Sequence, residues 1–169
     1  MIGLVSRTLA FAVPLCAMIA CSTQPSSTQT QGSQRTVISD ASSRGLGLWK
    51  WNYVGKWEFV HFKRDGRSLG TSSRSFHKGS ILSVAFAGKR VRLYGVLGTK
   101  GGYGLLAIDD TDAYSRVSFY APSKRTHALV YESPPLKAGN HALAIIVTGK
   151  RPPGSSGTFV NVEDIEVER

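Results

Sequence analysis

Short runs in which apolar and polar residues alternate, punctuated by glycine, proline and serine, fill the chain from about residue 80 onward. Leu82, Val84 and Phe86 alternate, as do Val91 and Leu93 after Ala87-Gly88-Lys89, so this stretch predicts two strands joined as a hairpin by a tight glycine-containing turn. Further strands are predicted at Tyr103 to Asp109, Ser115 to Ala121, His127 to Ser133, His141 to Gly149 and Phe159 to Val167. Their spacing, about 12 to 15 residues with no amphipathic helical stretch between them, predicts an all-β sandwich. In FVNVEDIEV the phase breaks: Val160 and Val162 share a face, whereas Ile165 and Val167 are offset by an odd step. A β-bulge near Glu163 and Asp164 restores one face.

The first twenty residues follow a different rule. Arg7 is their single charge, an apolar run extends from Leu9 to Ala20, and Pro14 interrupts it, which predicts a secretory signal peptide over residues 1–20. Met18-Ile19-Ala20-Cys21 then gives way to Ser22-Thr23-Gln24, a pattern that resembles the lipobox of bacterial lipoproteins, with methionine where leucine is usual. Cleavage there leaves Cys21 as the only cysteine, which excludes an intramolecular disulfide. The resemblance implies lipidation of Cys21, with palmitate-type acyl chains that together hold a protein durably to a membrane where one chain does not. Ser22 in place of aspartate implies the outer membrane, where the cell has one. From Ser22 to Gln34 there is no charged, aromatic or aliphatic residue, so residues 21–35 are predicted to be a lipidated cysteine and a disordered tether, and 36–169 a single domain.

Within that domain the motifs fall into a recognisable series. Val54-Gly55-Lys56-Trp57 is followed by serine-rich sequence from Ser68 to Ser75, by Phe86-Ala87-Gly88, and by Val91 to Gly95 as V-R-L-Y-G. A glycine-rich loop (Gly98 to Gly104), Ile108 to Asp110 as I-D-D, Gly139 to Leu143 as G-N-H-A-L and the closing V-N-V-E-D-I-E-V complete it. Over roughly residues 37 to 168 this resembles the galactose-binding-like β-jelly roll of many carbohydrate-binding modules and glycosidase accessory domains. The resemblance implies sugar binding by end loops or on a concave face, or a spacer role, and in some members a structural calcium. Asp109-Asp110 stands where the family commonly has aspartate-glycine, so that turn is built differently.

Catalytic signatures are missing: there is no G-x-S-x-G, H-E-x-x-H, paired-cysteine or Walker pattern, and the four histidines, His61, His77, His127 and His141, are scattered. Asp109, Asp110 and Asp112 are weak candidates for calcium, without the fixed ligand offsets of an EF-hand, and turn chemistry explains them better. Charge carries more. The net charge is +10, and between Arg44 and Lys100 there are 12 basic residues against Glu58 and Asp65. Beyond Lys100 seven basic face eight acidic residues, so the excess lies beside the tryptophans. Such a field suits acidic polysaccharide or phosphorylated glycolipid, and export makes nucleic acid an unsuitable partner.

Rings stack on the apolar faces of pyranoses while cations pair with carboxylates or phosphates. Trp49 and Trp51, two apart in a predicted strand, share one face, and Trp57, followed by Phe59, is expected in the core. The expected ligand contacts are Trp49, Lys50, Trp51, Tyr53, Arg92, Lys100 and Tyr103. The reading is a non-catalytic lipoprotein that binds carbohydrate at the cell envelope. Its alternatives are a structural lipoprotein docking a protein partner there, and an esterase of an unrecognised kind.

Overall fold

The computed structural model describes residues 34–40, 44–64, 67–109 and 113–169. The predicted signal peptide, Cys21, the predicted tether up to residue 33, Asp110 and Asp112 lie outside the described residues. Among the described residues eleven strands form: β1 (Arg35–Ser39), β2 (Trp51–Val54), β3 (Glu58–Arg64), β4 (Arg67–Ser75), β5 (Ile81–Gly88), β6 (Arg90–Leu97), β7 (Tyr103–Ile108), β8 (Ser115–Ser118), β9 (Arg125–Glu132), β10 (Gly139–Val147) and β11 (Val160–Glu168).

They make two antiparallel sheets and, among the described residues, no helix. One sheet runs β3-β4-β11-β6-β9, with β1 on the β4 side of β11, beyond the point where β4 leaves it; the other runs β2-β5-β10-β7-β8. Alternation in β5 is complete, so Leu82, Val84 and Phe86 point inward. They meet Val91, Leu93, Ile165 and Val167 from the facing sheet, with Trp51, Phe119, Leu106, Leu143 and Ile145 filling the rest of the core. Each such fully buried side chain contributes roughly 1.5–3 kcal/mol.

Two expectations about local structure meet different outcomes. The bulge in β11 is present: the register against β6 shifts between Val162 and Asp164, and this returns Ile165 and Val167 to the core. The predicted hairpin is not. β5 and β6 have the expected alternation but lie in different sheets, so Gly88-Lys89 is a crossover between layers. A Cβ on Gly88 would stand 2.4 Å from Val167 Cγ1 and 2.6 Å from the Glu168 carbonyl oxygen, which is why glycine occupies the corner.

β6 and β11 run antiparallel, and this defines two ends of the sandwich. Lys89 and Arg169 lie at one, called here the crossover end; Gly98 and Phe159 lie at the other, called the cleft end. The eight residues of β6 set these ends about 23 Å apart.

Candidate functional site

At the cleft end an open depression of about 460 Å³ lies on the outer face of the β3-β4-β11-β6 sheet. Val60 and Phe62 from β3, Arg74 from β4, Asn161 from β11 and Val96 from β6 form its floor and near wall. They share this face because of the register: Arg74 pairs with Asn161 across β4 and β11, and with Glu58, two residues before Val60, across β3 and β4. Thr99 and Lys100 form one rim, and Lys124 another.

Backbone bonds hold the rim. Gly101 N–H donates to Gly98 (3.0 Å), Phe159 N–H to Lys100 (3.0 Å), Gly102 N–H to Phe159 (2.7 Å) and Ser156 N–H to Thr99 (2.8 Å). The glycine-rich stretch is thus a loop sewn to the chain entering β11.

Two rings and three cations meet here. Lys124 Nζ sits 4.8 Å from the Phe62 ring centroid, and the Arg74 guanidinium 5.1 Å from that of Phe159. Arg74 is also paired with Glu58 at 2.8 Å. Lys100 has no carboxylate partner among the described residues, so its charge is available to a ligand. Below them, Asn161 Oδ1 and, nearby on β4, Ser72 Oγ are buried polar atoms without a hydrogen-bond partner. Buried acceptors are rarely left unmade, and one lining a cleft is suited to a ligand hydroxyl. Among the described residues the lining contains no carboxylate, histidine or cysteine.

The same face turns acidic towards its middle. The Glu163 carboxylate accepts the His127 N–H, and Asp164 Oδ2 lies 3.3 Å from His127 Nδ1. The His127 ring stacks flat on Tyr94, 4.4 Å between centroids. Burial pushes the Glu163 carboxyl up, against the His127 N–H, and burial likewise pushes Asp164 up, against the charge of His127. Positive charge at the rim and buried carboxylates behind it give the face a polarity.

Of the expected contact residues, only Lys100 lines this cleft. Trp51 is fully buried, its indole N–H donating to the Ser39 carbonyl at 2.9 Å, and it is the core tryptophan. Trp49 does not share its face, because β2 starts at Trp51 and Trp49 stands in a turn with φ 65°. Trp57 is half-buried at the core margin, donating to the Val54 and Ile81 carbonyls, and Phe59 is 40% exposed. Tyr53 points between the sheets: its hydroxyl is 2.8 Å from Ser73 Oγ, and burial pushes its pKa up to about 12. Arg92 is on the outer face but is committed to Glu132 (2.8 Å) and Glu166 (2.9 Å), which hold its proton more firmly still. Tyr103 lies on the other sheet under the Arg116 guanidinium, and Lys50 is exposed near the crossover end. Phe62, Arg74, Lys124, Phe159 and Asn161 were not expected.

Asp109 is structural. Its carboxylate takes His141 Nδ1 at 2.6 Å and the Ala142 N–H at 2.8 Å, while His141 Nε2 meets the Lys137 carbonyl at 2.7 Å. Burial alone would raise the Asp109 carboxyl, but these two donors outweigh it and hold it below its ordinary value; the Asp109 bond in turn raises His141. Among the described residues no three acidic, histidine or cysteine side chains converge to hold a metal.

No protein family matches the sequence, and no curated protein does. Solved structures do. A family two carbohydrate esterase from Cellvibrio japonicus aligns at a TM-score of 0.51 and 17% identity over 80% of this chain and 34% of the esterase, so the chain spans about a third of that enzyme. A CBM35 module from Cellvibrio japonicus aligns at 0.45 and 14% identity, covering 77% of this chain and 90% of the module. A carbohydrate-binding module CBM36 in complex with calcium and xylotriose aligns at 0.44 and 9% identity, covering 79% and 99%. At these identities the likeness is one of fold alone: the domain is a two-sheet antiparallel β-jelly roll.

Proposed function

We propose that this jelly roll binds carbohydrate without catalysis, at the cleft, and that its ligand is an anionic polysaccharide or glycolipid of the cell envelope. The observation that carries the reading is the composition of the cleft: the Phe62 and Phe159 rings, the Arg74, Lys100 and Lys124 cations, and the unpartnered Asn161 Oδ1 in one depression of about 460 Å³. Rings offer stacking surfaces to pyranose faces, the cations take carboxylates or phosphates, and a buried acceptor orients a hydroxyl. A described lining of rings and cations, without carboxylate, histidine or cysteine, suits the binding of an anionic sugar. The predicted signal peptide and Cys21 lipid anchor support an envelope location, held to the membrane through Cys21.

Calorimetric titration with trigalacturonate and, in parallel, xylotriose tests this. Binding of the acidic sugar at low salt, weakened about tenfold or more in a Lys100→Ala/Lys124→Ala variant, is expected if each cation contributes roughly 1 kcal/mol. No binding of the acidic sugar, or binding that the double variant leaves intact, refutes the proposal.

A further inference from the structure

The crossover end presents a surface of a different kind, built on the 44–50 loop. Gly45 and Gly47 take φ 126° and 115°, and Trp49 takes φ 65°, a conformation unusual for a non-glycine residue. Gly45 N–H bonds to the Trp51 carbonyl (2.8 Å), Lys50 N–H to Gly47 (3.3 Å) and Trp49 N–H to Ala85 (2.7 Å), so the loop is a held bulge on the edge of β5. Its conformation turns leucines to the outside: Leu46 is 80% exposed and Leu48 42%. Trp49 forms one wall of a separate depression of about 430 Å³, shared with Ala87, Gly88, Lys89, Ala138 and Arg169, whose guanidinium lies 4.9 Å from the indole centroid. Lys50 and Lys89 are exposed beside it.

Two protruding leucines, an interfacial tryptophan and a ring of cations are the composition of a surface that sits at the boundary between lipid headgroups and acyl chains. The position agrees. Arg169 N–H donates to the Gln34 carbonyl at 2.9 Å, so the described chain enters the domain at this same end. We infer that the 44–50 loop, with Lys89 and Arg169, docks on an anionic lipid bilayer and orients the domain with its sugar cleft turned away from the membrane. The inference rests on the lipid-anchor reading of Cys21. Leu46 and Leu48 enter the acyl boundary, Trp49 lies at headgroup depth, and the cations take lipid phosphates, each contributing to a field that salt screens.

The test uses the protein extracted from membranes and reconstituted into phosphatidylethanolamine/phosphatidylglycerol vesicles with brominated acyl chains, which quench tryptophan at short range. Mass spectrometry of the Cys21 peptide reports lipidation separately, so failure of the anchor and failure of the docking loop are distinguishable. Trp51 is sealed in the core, and a Trp49→Phe variant isolates the emission of Trp49. Quenching of Trp49 is expected in anionic vesicles, with less in purely zwitterionic ones or at high salt. A Leu46→Asp/Leu48→Asp variant, whose exposed sites leave the fold unchanged by circular dichroism, is expected to dock about tenfold or more weakly. Trp49 left unquenched, or quenched equally in the leucine variant, overturns the inference. So does a Trp49 emission shift with soluble trigalacturonate in the absence of lipid, which assigns this depression to sugar.

Discussion

Glu58 competes with any acidic ligand for Arg74, and its removal is expected to tighten binding. The two side chains meet at 2.8 Å and are 51% and 40% exposed, respectively, so the pair contributes little to folding. A ligand carboxylate on the free side of the guanidinium stands about 5 Å from the Glu58 carboxylate. At that distance two negative charges repel by about 0.8 kcal/mol in a water-like dielectric. Glu58→Gln is thus expected to strengthen trigalacturonate binding about fourfold at low salt, while xylotriose binding stays level and the urea midpoint moves little. The same titrations near 1 M salt, where the screening length falls to about 3 Å, should erase the difference. Binding that weakens in Glu58→Gln, or tightens equally for the neutral sugar, refutes the argument that Arg74 receives the ligand's charge.

Other outcomes follow from the core and from the acidic patch. Trp51→Ala should destabilise the domain by about 3–5 kcal/mol in denaturant titration, because it empties a fully buried site and removes the N–H given to Ser39; a loss under 1 kcal/mol contradicts the placement of this ring. Glu163→Gln tests burial of charge. A carboxyl whose folded-state pKa is raised takes up a proton on folding, so stability falls as pH rises from the ordinary carboxyl range through the raised value. The variant should therefore be more stable than the parent at neutral pH, with the advantage vanishing below about pH 4 in thermal melts; an advantage that grows towards acid pH reverses the assignment.

Alternation made the later strands readable, because β5, β6, β10 and β11 bury every second apolar residue and expose little ambiguity of phase. It failed for β4, which is rich in serine. Ser72, Ser73 and Ser75 are buried there, Ser73 bonding the sequestered Asp40 carboxylate at 2.7 Å and Ser75 the Lys56 carbonyl at 2.6 Å. Buried hydroxyls of this kind look like loop sequence until their partners are known. The crossover at Gly88-Lys89 is illegible for a related reason: a tight turn between two alternating strands looks the same whether they pair or part into two sheets. The cleft was least legible. Phe62, Arg74, Lys124 and Phe159 are far apart in sequence, and only register across β3, β4 and β11 joins them. Local density of tryptophan and lysine pointed instead to Trp49 and Trp51, which fold into a docking loop and a core.

The pairing of β1 with β11 bears on how the domain carries mechanical load. Arg35 through Ser39 lie antiparallel to Glu168 through Asp164, and Gln34 stands at the crossover end while the cleft lies at the other. A pull between Gln34 and a polymer held in the cleft therefore runs along the strand axis. It loads the β1–β11 backbone bonds in shear, all at once, instead of peeling them one after another. The geometry makes this short strand a brace against tension, and a domain held at one end and gripped at the other resists extension along its strongest direction.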